Sequence, residues 1–190
     1  MISNLVTPPA LEPITLDEAK AHLRVEHDLD DQLIESLISS ATNSVELTLN
    51  RALINQTWVH TFDKFPGVLT CDLQAGVSSI TSITYQDTAN VQQTLPADVY
   101  ELTGGTVSGF RLAYGQEWPS VLDHKDSVSV TVVVGYGATR HDVPQAIRQA
   151  MLLLIGNWYE NRESTVIGTI TAQLPHAVDL LLRGYKVPYL

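Results

Sequence analysis

Apolar residues recur every three to four positions up to about Leu53, every second position from Gln56 to Val134, and every three to four again from Val143. A chain whose period changes twice in this way has helices at both ends and strands between them. The expected fold class is therefore α+β: a helical core built from the N- and C-terminal segments, with an inserted, mainly antiparallel β module. The corresponding division is 1–55, 56–142 and 143–190, the last including an extended tail.

Local signals place the elements. Thr15-Leu16-Asp17-Glu18 has the pattern of a capping box and predicts a short helix from Leu16 to about Val25. Asp28 or Asp30 caps a longer one reaching Asn50 to Leu53, with Ile34, Leu37, Ile38, Ala41, Val45, Leu49 and Ala52 on one stripe. Strands are expected over Thr57–Phe62, Val68–Leu73, Ser79–Tyr85, Val99–Leu102, Phe110–Tyr114 and Ser127–Val134, separated by Gly, Pro and Asn-rich breaks. Asp142 caps a helix opened by Pro144 and ending near Asn161, and a last helix runs from Ala177 to Arg183, stopped by Gly184. Residues 163–171 read as a loop or short hairpin, and Tyr185–Leu190 as an extended tail that settles in a partner's groove.

The helix from Val143 to Asn161 has more apolar surface than one contact uses. Val143, Ile147, Ala150, Met151, Leu154, Ile155, Trp158 and Tyr159 form one stripe, while Leu152, Leu153 and Gly156 cover a second face. Two buried faces need two partners, one of which can be a neighbouring subunit. Trp158 and Tyr159 are of the types that dominate interfaces, although both also continue the core stripe.

Composition and motifs narrow the function. The net charge is −10, with 9 acids against 3 bases in residues 1–55 and 9 against 4 in 56–142. Such a surface repels phosphate and has no basic stripe to grip DNA. The longest apolar run, Ala150–Gly156, falls far short of the roughly 20 residues of a membrane span, so no membrane partner is expected. Met1–Pro9 lacks the features of a secretory signal, and the single Cys71 fits a reducing compartment, so synthesis in the cytoplasm is expected.

Motifs for chemistry fail on inspection. Gly135-Tyr136-Gly137-Ala138-Thr139-Arg140 lacks the third glycine of a dinucleotide fingerprint, and Gly104–Gly109 lacks the lysine and hydroxyl of a phosphate loop. Asp28, Asp30 and Asp31 lack the glycine and closing glutamate of a calcium loop, and the six histidines lack helical zinc spacing. The residues alone leave an assembly protein, a β-rich adhesion or carbohydrate-binding module with Trp58 and Trp118 as stacking platforms, and a hydrolase with no motif behind it.

Several segments together resemble the head-tail connector, or head-completion, proteins of long-tailed bacteriophages and prophages. They are Ile14-Thr15-Leu16-Asp17-Glu18-Ala19-Lys20-Ala21-His22-Leu23-Arg24-Val25, Asp30-Asp31-Gln32-Leu33-Ile34 and Gln56-Thr57-Trp58. Near the other end they are Val143–Ala150, Trp158-Tyr159-Glu160-Asn161-Arg162-Glu163 and Leu174–Leu181. The resemblance implies a virion protein of the neck: a dodecameric ring that stacks on the portal after DNA packaging, lets DNA pass, and offers a platform to the next neck or tail-completion protein. It implies no catalytic residue, no cofactor and no metal. On this basis the expected contact residues with neighbouring copies or partners are Leu152, Leu153, Trp158, Tyr159, Arg162, Tyr185, Tyr189 and Leu190.

Overall fold

A computed structural model describes residues 2–65, 69–70, 76–103, 109–161 and 173–187. In chain order the elements are β1 (Ile2–Thr7), α1 (Leu16–Leu23), α2 (Asp31–Leu49), β2 (Gln56–Phe62), β3 (Leu69–Thr70), β4 (Val77–Gln86) and β5 (Gln92–Thr94). They continue with β6 (Tyr100–Thr103), β7 (Gly109–Leu112), β8 (Val128–Val134), α3 (Gln145–Glu160) and α4 (Gln173–Leu182). The mixed α+β class expected from the two changes of period is what the chain forms.

Two compact units result, one from residues 2–10 and 55–136, the other from 11–54 and 137–187. The first ten residues thus leave the helical part to which the sequence assigned them. The reason is a strand: β1 pairs antiparallel with β2, from Ile2 opposite Thr61 to Thr7 opposite Thr57. Ile-Ser-Asn-Leu-Val-Thr has no strict alternation, so the period gave no warning of it.

In the β unit a five-stranded sheet has the order β1-β2-β8-β4-β5, and a three-stranded one the order β3-β7-β6, every neighbouring pair antiparallel. β8 is central. Its Val128, Val130, Val132 and Val134 are buried, while Ser129, Thr131 and Val133 between them are half-buried. An alternating valine strand flanked on both sides is the expected product of that pattern. Phe65 stacks on Trp118 with ring centroids 4.6 Å apart, and Phe110 meets Trp118 edge-on at 6.1 Å. The Trp118 ring is therefore committed to its own unit, not open as a sugar platform, and the Trp58 indole N–H donates to Gln56 Oε1 at 3.1 Å.

In the helical unit α2 buries Ile34, Ile38, Ala41, Val45 and Leu49, and α3 buries Ile147, Ala150, Met151 and Ile155. α2 stops at Leu49, earlier than the stripe through Ala52 implies. Asn50 turns left-handed at φ 51°, its N–H and that of Arg51 reach back to the Leu47 and Glu46 carbonyls, and Ala52, Leu53 and Ile54 are buried off the helix. A second correction concerns Asp142. Its carboxylate accepts from the Thr139 N–H and hydroxyl and closes a 3-10 turn over Arg140–Asp142, leaving Pro144 as the cap residue of α3. A side chain on Gly137 would run into the Asp142 carboxylate, so the turn between β8 and α3 requires glycine there.

Candidate assembly surface

The helical unit is tied by polar contacts at each seam. The expected capping box is present: the Thr15 N–H donates to Glu18 Oε2 at 2.9 Å and the Glu18 N–H to Thr15 Oγ1 at 3.0 Å. Glu18 also receives Arg148 from α3, whose Nε donates to the Pro13 carbonyl at 3.2 Å and Nη1 to Gln145 Oε1 at 3.2 Å. Burial pushes the Glu18 carboxyl up, but the Thr15 amide and Arg148 outweigh it and hold its pKa below the ordinary value. Lys20 bridges Asp28 and Asp31 at 2.7 Å each, which raises the lysine and lowers Asp28. Asp30 is the cap residue of α2 but makes no capping bond with its side chain; its Oδ2 accepts from the Tyr159 hydroxyl at 2.5 Å.

These bonds decide the fate of the expected contact residues. Tyr159 is spent inside its own chain, joining α3 to the start of α2. Leu152, Leu153 and Trp158 are half-buried, neither enclosed nor open. The second face of α3 is partly roofed by α1, for a Cβ on Gly156 would sit 3.4 Å from His22 Nε2 and 4.0 Å from Leu23. Tyr185 is half-buried in a 3-10 turn after α4. The tail beyond it does not wait for a partner over its described length: the Val187 N–H donates to the Leu49 carbonyl at 3.0 Å, Val187 is buried, and Lys186 pairs with Asp179 at 2.6 Å. Arg162, Tyr189 and Leu190 lie outside the described residues.

The most exposed apolar side chains are ones the period could not single out. In the helical unit they are Leu29, at 90%, with Leu47 and Leu180; in the β unit they include Tyr114, at 102%, with Ile2, Leu5 and Val6 of β1. Leu29 had one available signal, an apolar residue set between Asp28 and Asp30 where nothing periodic calls for it. The helical unit also holds a cleft of about 350 Å³ with Ile14, Leu16 and Ile38 below and Glu12, Glu35 and Arg140 at its rim. Two of those rim groups are already engaged: Glu12 accepts from the Thr42 hydroxyl at 2.6 Å, and its carbonyl accepts from Arg140 Nε at 2.9 Å. Among the described residues no three metal-ligating side chains converge, and no described helix is long and apolar enough to cross a membrane.

The same fold occurs in three solved chains, each matched over 100% of this chain and 97% of its own length. They belong to the neck of an empty GTA particle computed with C6 symmetry (22% identity, TM-score 0.79), the virion of a native gene transfer agent particle (22%, 0.78) and the neck of a native GTA particle computed with C12 symmetry (21%, 0.72). At that identity the likeness defines the class by fold: the α+β architecture of those chains, helical and β units both included. No curated protein matches. Residues 13–101, from just before α1 into β6, match the model of the phage gp6-like head-tail connector proteins.

Proposed function

We propose that the protein is a ring-forming adaptor of the virion neck, made in the host cytoplasm, which joins the portal to the next neck or tail-completion protein and surrounds the DNA exit path. The observation that carries this reading is the family match over 13–101, joined to a full-length fold likeness to chains from particle necks. Twelve copies is the expected number, since a related neck is computed with C12 symmetry and another with C6, its half.

The charge supports the same reading. A net charge of −10 gives DNA nothing to hold, which suits a channel that the genome must slide through. No reaction is assigned to the protein; Glu12 and Glu18 are engaged by Thr42 and Arg148 inside the helical unit. Particles assembled without this chain should accumulate as DNA-filled heads and separate tails, and supplying it should join them. Normal yields of joined particles in its absence would remove the adaptor role.

A further inference from the structure

We propose that β1 of one copy adds to the outer edge of β4 in the next copy, so that neighbouring sheets join around the ring. This rests on the ring reading above and names its contact. Among the described residues β1 is paired on one side only, to β2, and Ile2, Leu5 and Val6 on it are exposed. Residues 2–11 carry no charge at all. Soluble proteins guard such an edge with lysine, proline within the strand or a covering segment, because it is a template for another strand. A six-residue edge that no described segment guards points to a partner that covers it.

The other end of the same sheet offers the complement. β5 pairs with Thr84–Gln86 only, and the Leu95 N–H bonds the Ile83 carbonyl, so among the described residues no strand pairs with Val77–Ser82 on that side. That stretch is also uncharged and also six residues long, with Ser78, Ser79 and Thr81 exposed. Direction agrees as well. Every neighbouring pair in the order β1-β2-β8-β4-β5 is antiparallel, so β1 and β5 point the same way. A neighbour's β1, carried round in the same sense, therefore lies antiparallel to β4 and in line with β5.

β4 shifts register against β8 at Ser78 and Thr81, and β1 shifts against β2 at Val6. Such bulges raise the local twist, so this edge favours a strand with a matching twist over a flat one. Because the two edges differ, the contact is head-to-tail, the kind from which a ring is built when the rotation between copies closes, unlike a β1-to-β1 contact, which would give a two-fold dimer.

The test uses the full chain in a Cys71→Ser background, at high concentration and again on the portal. Asn4→Cys and Ser79→Cys are made as separate variants, mixed, and joined with a short bismaleimide. Cross-linked dimers are expected in the mixture and in neither variant alone. Val6→Lys, an exposed change that leaves the melting curve in place, should weaken association roughly tenfold. Dimers from Asn4→Cys alone, no dimers in the mixture, or undiminished assembly of Val6→Lys would each overturn the edge contact. A portal-bound ring counted by mass separates the cases: a ring without the cross-link removes this contact only, whereas no ring removes the adaptor reading.

Discussion

His60 shows how a single buried group sets a pH limit on the β unit. Its Nδ1 lies 3.1 Å from Ser3 Oγ, while Nε2 is buried with no hydrogen-bond partner among the described residues. Burial lowers its pKa below the ordinary 6.5, so the folded chain holds it neutral and the unfolded chain takes up the proton first. Stability from this residue is complete above that value and is lost as pH falls below it. Between pH 7 and 5.5 wild type should lose stability relative to His60→Leu, read from urea midpoints at each pH. Arg148 acts in the helical unit. Arg148→Met leaves the buried Pro13 carbonyl without its donor and Glu18 without its cation, and should cost about 2 to 3 kcal/mol, as a lower urea midpoint with an unchanged slope.

At the scale of elements, helix ends are fixed by backbone geometry as much as by apolar stripes. Asn50 ends α2 at positive φ, where Cβ costs about 1 kcal/mol and asparagine is tolerated better than alanine. Asn50→Ala should lower the thermal midpoint of the helical unit, by about 1 kcal/mol in stability, and Asn50→Gly should keep or raise it. Elements with a strong local rule were legible in the sequence: the capping box at Thr15 and Glu18, the valine alternation of β8, the stripe of α2. Those stabilised from elsewhere were not. β1 and the polar β5, Gln92–Thr94, are strands because a neighbour supplies their hydrogen bonds, and no period in either stretch records it. The contact residues were harder for the same reason. A stripe on α3 shows that Leu152, Leu153 and Trp158 are apolar, but only packing shows that α1 and the Tyr159–Asp30 bond use part of that surface internally.

At the scale of the whole molecule, the proposed connector role joins features that have no use in a lone acidic chain. An uncharged edge strand, Leu29 standing open between two aspartates, and a balance of −10 fit the proposal of copies that meet one another around a DNA path. The most direct measurement is cryo-electron microscopy of the purified protein mixed with the portal of the same particle. The account predicts a closed ring of this chain on the portal, twelve copies with an open centre wide enough for duplex DNA. A portal that remains bare at saturating protein, or one that carries single scattered copies, would contradict it.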